Sequence, residues 1–467
     1  MPNQIRDLYT IDETSFPYIF EQNVTVHLKA GEGLIRCNVY RPKESGPVPV
    51  LVTYGPYGKD IHYKDFHAKS FAEVNPKHKS AHSAWETPDP GFWTPHGYAV
   101  VRADERGTGQ SPGLLDTMSR GTTDAFCELI EWAADQAWSS GKVGLLGGFL
   151  RASSRFKYLR AIVGRHDLPF YYDDEVEVQR SFLDAFLKGD DRVGWSVPGK
   201  LPPVDLVLRK GNVGFNDAVA ERAYRRRTET EWPPARTRYT KFFLTPDLGL
   251  DTHEPQQLET PRRVSYRALG TIDAPQLVQF TTAPFTAETE ITGHPLLHLN
   301  VSATAETEDG TDGTGPSDID LFITLRHIGP DGAEVLYTGT AGDPVPLCKG
   351  WLRVSLRATD ASRSSSWLPH REYRGVDAAA VIPGEVYGVD VEVWPTCVVV
   401  EAGGRVVLEV ASGDTQGSGL FLHDDPADRS REVFGGMNHV GPASFWISNA
   451  ILSVLCQMLF REGRQRR

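Results

Sequence analysis

The chain has 467 residues, 40% hydrophobic and 24% charged, a composition that excludes a disordered or fibrous protein and calls for two or three cores. A formal charge of −12 repels phosphate backbones and anionic head groups, so neither nucleic acid nor a membrane surface is an expected partner. Five cysteines, Cys37, Cys127, Cys348, Cys397 and Cys456, are widely spaced without a CxxC pair, which argues against a disulfide framework or zinc cluster and for a reducing compartment.

The N-terminus, MPNQIRDLYTIDETSFPYIF, has early acidic residues and no uninterrupted apolar stretch, so no signal peptide is expected and the cytoplasm is the expected location. Residues 23–38 (NVTVHLKAGEGLIRCN) alternate apolar and polar around AGEG, which predicts a hairpin. The short apolar runs 48–54 (VPVLVTY), 98–103 (YAVVRA) and 142–146 (KVGLL) predict strands buried on both faces of a parallel sheet. Between the last two, 123–137 (TDAFCELIEWAADQA) has helical spacing, so the order is that of a wound α/β sheet. A further buried strand is expected at 158–163 (YLRAIV) and an amphipathic helix at 176–187, closed by Gly189.

Residues 191–240, rich in Pro, Arg and Gly, read as a connecting arm after an α/β domain at 1–190. Beyond them, 241–467 is a succession of alternating runs separated by turns such as GPDG and AGG, without intervening helices, which predicts an all-β sandwich or jelly roll. The acidic stretch 308–318 (EDGTDGTGPSD) is expected to be an exposed loop. Residues 443–460 (ASFWISNAILSVLCQMLF) are largely apolar, but Ser448, Asn449, Ser453 and Gln457 interrupt them near the minimum length for a bilayer span. A packed terminal helix or strand is expected ahead of a tail anchor.

Three stretches in this order, VTYGPYGKD (52–60), ADERGTGQSPG (103–113) running into EWAADQAWSSGKVGLLG, and GRHDLPFYYDDE (164–175), resemble the cocaine-esterase / Xaa-Pro dipeptidyl-peptidase family of serine hydrolases. The C-terminal half, from APFTAETEITGHPLLHLNVSA to PGEVYGVDVEVWPT, resembles that family's jelly-roll domain. The resemblance implies an α/β-hydrolase sheet followed by a jelly roll of galactose-binding-like kind. It also implies cleavage of a small ester, an amide or a short peptide through an acyl-enzyme, with no cofactor or metal; the oligomeric state stays open. His166, in an RHD turn ahead of a helix, matches the family's general base, with a structural histidine as the alternative. Tyr57, in GPYGK just after the first buried strand, matches the tyrosine that donates to the oxyanion. The alternative is a tyrosine that closes a turn against the sheet.

The nucleophile departs from the pattern. In this fold the serine stands in G-x-S-x-G directly after a buried strand, yet KVGLL is followed by Gly147, Gly148 and FLRASS, so the nucleophile is unknown. The 17 residues 149–165 contain no Asp or Glu, so the triad acid is missing too, as if nucleophile helix, cap and acid strand were absent as a block. A real deletion and an incomplete gene model both produce such a junction. GQSPG around Ser111 satisfies the motif formally, but the next residue, Pro112, has no N–H for the oxyanion, so Ser111 is rejected. Ser153 and Ser154 fit a turn, and Asp173 and Asp174 fit helix N-capping. Asp167 adjoins His166, and neighbours in a turn point apart. Trp85, Phe92 and Trp93 either wall a cleft or simply pack, and His62, His67, His78, His82 and His96 form no metal-binding spacing. The alternative to a hydrolase is a catalytically inactive remnant that serves as a binding or assembly module.

Overall fold

Alternation along the apolar runs decides how the first sheet is covered. The structure is a computed structural model that describes residues 8–29, 33–146, 156–255, 263–305, 315–420, 422–448 and 460–461. The chain divides into two compact units, one holding Met1–Tyr158 and His166–Leu201, the other Leu159–Arg165 and Pro202–Val454. The first unit contains strands β1 (Thr10–Asp12), β2 (Ile19–His27), β3 (Leu34–Arg41), β4 (Val48–Gly55), β5 (Ala99–Asp104) and β6 (Ser139–Leu145). Its helices are α1 (Tyr63–Phe66), α2 (Ala68–Glu73), α3 (Pro90–Trp93), α4 (Arg120–Asp135) and α5 (Asp173–Leu183). The strands lie in the order β1-β2-β3-β5-β4-β6, with Phe460–Arg461 beyond β6; β1 to β3 are antiparallel, and β4 runs parallel to both β5 and β6.

Successive side chains on a strand face opposite ways. Val50 and Val52 of β4 therefore join Val101 of β5 and Val143 and Leu145 of β6 against Ala125, Leu129 and Ala133 of α4. Leu51 and Val100 point the other way, into a second core with Tyr40, Trp93, Tyr98, Leu183 and Leu187. Covering both faces makes these strands apolar throughout, as a parallel sheet requires. Gly144 permits the approach on the second face, since a Cβ there would lie 3.0 Å from both Leu183 and Leu187.

The second unit is all-β, with mixed sheets and no closed barrel among the described residues. Leu277–Thr282, Arg405–Ala411 and Asp320–Ile328 are antiparallel neighbours in its large sheet, and Gly249–Asp251 pairs parallel with the first of them. Leu321, Ile323, Leu325, Val406, Leu408 and Val410 are completely enclosed in its core. On the opposite face Arg326 makes two 3.1 Å bonds to Glu409, so the buried carboxylate is neutralised where it lies.

Four expectations need correction. The strand predicted at 158–163 is reduced to Leu159–Arg160, half-buried, and pairs parallel with Val204–Lys210 in the second unit instead of extending the first sheet. Six residues without alternation cannot specify a longer register. The predicted arm contains that strand and its antiparallel partner Arg225–Glu229, where Asp205 receives Arg226 and Glu229 receives Arg227 and Arg236; arginines that suggested a linker are ion-pair partners here. In the acidic stretch, 306–314 lie outside the described residues, but Asp318 is buried and accepts N–H bonds from Ile319 and Ser355, so it is a structural acceptor. Finally, α5 is preceded by Tyr172 at its cap position, and Asp173 and Asp174 occupy its first turn, where the helix dipole favours them; Asp173 also binds Asn75 and Lys77.

Of the apolar C-terminal segment, Ala443–Ser448 is a strand, and 449–459 lie outside the described residues. No helix among the described residues is long and apolar enough to cross a membrane. The described cysteines, Cys37, Cys127, Cys348 and Cys397, are free thiols.

Buried histidines give each unit a pH dependence. His78 stacks on Phe92 at 4.2 Å with neither ring nitrogen hydrogen-bonded, and burial pushes its pKa down to about 4. His327 bonds Tyr337 through Nδ1 at 2.8 Å, its Nε2 is unpartnered, and burial likewise lowers it to about 4. The unfolded chain takes up these protons first, from about pH 6.5, so stability is complete above that value and lost as pH falls toward 4. The loss at pH 5 is expected to be about 2 kcal/mol per residue. Urea unfolding at pH 7.5 and pH 5 checks this, and His78→Phe should remove part of the difference.

Candidate active site

The carboxyl ends of β4 and β5 carry the turns from which the site is built, the usual place for a ligand in an open α/β sheet. A buried carboxylate joins the two turns. Asp104, the last residue of β5, accepts N–H bonds from Lys59 at 2.5 Å and Gln110 at 2.9 Å, and Lys59 Nζ stands 3.7 Å from it. Lys59 is itself enclosed and also donates to Asn23 Oδ1 at 2.6 Å and to Asp60. Burial raises the Asp104 pKa, while the positive charge of Lys59 opposes the rise. Gly109, at φ +50°, closes the turn after β5; a Cβ there would lie 2.2 Å from Asp104. Tyr57 rides on the turn that Lys59 anchors.

His166 is held by its neighbour. Asp167 is buried, and its Oδ2 accepts the Tyr63 hydroxyl at 3.2 Å and also the Ser70 hydroxyl, and those two hydroxyls are 2.9 Å apart. The turn is thereby pinned to α1 and α2. Asp167 is thus a bracing group for the turn.

A run of rings links the two predicted residues. Tyr57 meets Phe66 at 5.6 Å, Phe66 meets Trp85 at 5.1 Å, and Trp85 meets His166 edge to face at 5.6 Å. Beside Trp85, Glu86 forms an ion-pair contact with His166 Nε2 through Oε1. Tyr57 is about half exposed, and its pKa is raised by partial desolvation and then by the negative charge of Glu86. Glu86 thus contacts His166, and its charge is felt at the Tyr57 phenol. Sequence reasoning did not reach Glu86, which is far from His166 in the chain; the available signal was an acidic residue after Trp85 in a proline-bounded segment, WETPDP.

The other candidates fall elsewhere. Ser111 is buried, donating to the Asp104 carbonyl at 2.8 Å and accepting the Arg36 N–H at 2.9 Å, so its oxygen is committed to the scaffold. Ser153 and Ser154, and the junction at Gly147 and Gly148, lie outside the described residues. Trp93 is enclosed in the core, Phe92 packs between His78 and His96, and only Trp85 of the three aromatics borders His166. Asp360, His370 and Glu372 bring ligand-type atoms within 4.8 Å of one another, but Asp360 is bonded to Ser362 and Glu372 is paired with Arg363.

An α/β-hydrolase unit with a separate all-β unit defines the class. A family model described as the X-Pro dipeptidyl-peptidase C-terminal non-catalytic domain matches residues 196–444, and that of the X-Pro dipeptidyl-peptidase (S15 family) matches 32–148. The chain belongs to the X-Pro dipeptidyl-peptidase (S15) family, which together with the cocaine-esterase type comprises serine hydrolases acting as esterases or peptidases. Cocaine esterase from a Rhodococcus species is 32% identical over 28% of this chain and 19% of its own length. A putative serine esterase of Mycobacterium bovis is 24% identical over 52% of this chain and 36% of its own. The chain thus matches well under two thirds of these relatives. Among solved structures, a CocE/NonD family hydrolase from Staphylococcus aureus shares the fold with a TM-score of 0.72 at 19% identity, covering 96% of this chain and 98% of that one. An α-amino acid ester hydrolase does so at 0.55 and 12%, covering 96% and 100%.

Two substitutions test the scaffold. Ser111→Ala should cost about 1–3 kcal/mol in urea unfolding, the range for leaving a buried partner unsatisfied, and should leave any serine-directed labelling intact. Lys59→Met strands the Asp104 charge and should cost about 3–5 kcal/mol.

Proposed function

We propose that this protein is a serine-type hydrolase of a small ester, or of an amide such as a short peptide, with His166 as general base and the Tyr57 hydroxyl as oxyanion donor. The observation that carries the proposal is the run of ring contacts Tyr57–Phe66–Trp85–His166, with the Glu86 carboxylate against His166, beside the carboxyl end of β4. In this mechanism a serine attacks the acyl carbon, His166 takes the hydroxyl proton and returns it to the leaving group, and water repeats the cycle on the acyl-enzyme. The nucleophile is unassigned; in sequence the first hydroxyls after β6 are Ser153 and Ser154. A jelly-roll topology for the all-β unit and a cytoplasmic location, in keeping with the free thiols, belong to the same proposal.

A second reading has its own support. The S15 match stops at residue 148 and 149–165 hold no carboxylate, which favours a catalytically inactive remnant that binds or assembles through its all-β unit. A fluorophosphonate probe separates the two. The hydrolase reading expects covalent labelling, mapped by mass spectrometry to a serine, and at least a 100-fold loss of p-nitrophenyl ester hydrolysis in His166→Ala. Absence of labelling, with unchanged behaviour in His166→Ala, establishes the remnant.

A further inference from the structure

Glu86 is held in a backbone conformation that glutamate seldom adopts, at φ +51°. Such a residue persists where its surroundings over-determine it, and an observed outlier of this kind is a pointer to function. The surroundings here are explicit. After Glu86, the Thr87 carbonyl accepts the Tyr171 hydroxyl at 3.1 Å. Asp89 accepts the hydroxyls of Ser80 at 3.0 Å and Ser83 at 2.6 Å and the N–H groups of Gly91 and Phe92, fixing the segment on its far side. Before Glu86, the His82 carbonyl accepts Arg102 at 2.9 Å. The loop is braced at both ends, and its one left-handed residue presents a carboxylate to His166 Nε2.

The imidazole is braced as well, through Asp167, and by a set of contacts separate from those that hold Glu86. The titratable groups around the pair include Tyr57 and Tyr171, whose phenols feel the charge of Glu86, and His67, stacked on Trp85 at 5.3 Å; Asp167 accepts from Tyr63 and Ser70. Glu86 is in contact with the ring.

We propose that Glu86 is the positioning carboxylate of His166, taking in this chain the part of the triad acid that 149–165 lack. It accepts Nε2–H, fixes that tautomer with the lone pair at Nδ1, and stabilises the imidazolium formed when the ring takes up a proton. The functional importance of the dyad rests on the hydrolase reading; its existence does not.

The test is the ring 15N spectrum and titration of His166 in the full chain. In the wild type, His166 is expected as the Nε2–H tautomer with a pKa at least one unit above the ordinary value near 6.5. Glu86→Gln should return it to about 6.5 with mixed tautomers, and Glu86→Asp should restore part of the rise. Glu86→Gly, which suits the left-handed backbone, should fold with equal or greater stability and show the same fall in pKa, separating loss of the carboxylate from loss of structure. A His166 titration and tautomer unchanged in Glu86→Gln and Glu86→Gly overturn the dyad, whatever the activity. Loss of fluorophosphonate labelling with an intact dyad signature would instead count against the hydrolase reading alone.

Discussion

Everything at the carboxyl edge of the first sheet depends on one buried carboxylate. Asp104 ends β5, and a charge there is costly unless it is met at close range, which Lys59 and two backbone N–H groups do. Because Lys59 belongs to the turn after β4, neutralising Asp104 also fixes the turn that carries Tyr57. Because Gly109 approaches the same carboxylate, the loop after β5 is folded back on it, bringing Ser111 to bridge the Asp104 carbonyl and Arg36 of β3. A serine in a formal nucleophile motif is thereby consumed as a structural hydrogen bond.

A second layer of aromatic and hydroxyl groups rests on that edge. Tyr63, Ser70 and Asp167 form a buried knot, and Trp85 lies against Tyr63, Phe66, His67 and His166. Asp167 and Glu86 have separate parts at His166. The first places the turn on which the imidazole stands, and the second touches the imidazole itself.

Sequence legibility followed the locality of the cause. The strands β4, β5 and β6 and helix α4 were readable because burial on both faces or one writes itself into adjacent residues, and the all-β half because alternation and turn residues recur. The run at 158–163 failed for the converse reason: it is apolar, but its partner is Val204–Lys210, with paired residues 45 apart in the chain, and nothing local announces that pairing. The arginines of the supposed arm misled in the same way, since composition suggested a linker where Asp205 supplied a partner. At the candidate site, family likeness pointed to Tyr57 and His166. Glu86 was invisible because its relevance lies in a contact across the fold and in a backbone angle, neither of which has a local signature.

The supports described for Tyr57, Glu86 and His166 all come from residues 23–111 and 166–171. In the proposed mechanism the acid–base half is thus held by turns anchored on β4, β5 and α1, separately from a nucleophile that is unassigned. A chain altered after β6 can keep an oriented imidazole, with a carboxylate against it, while its nucleophile is changed or gone. That separability is why membership of a serine-hydrolase family and possession of its activity are distinct questions for this molecule, and why the state of His166 can be measured without settling which serine, if any, it serves.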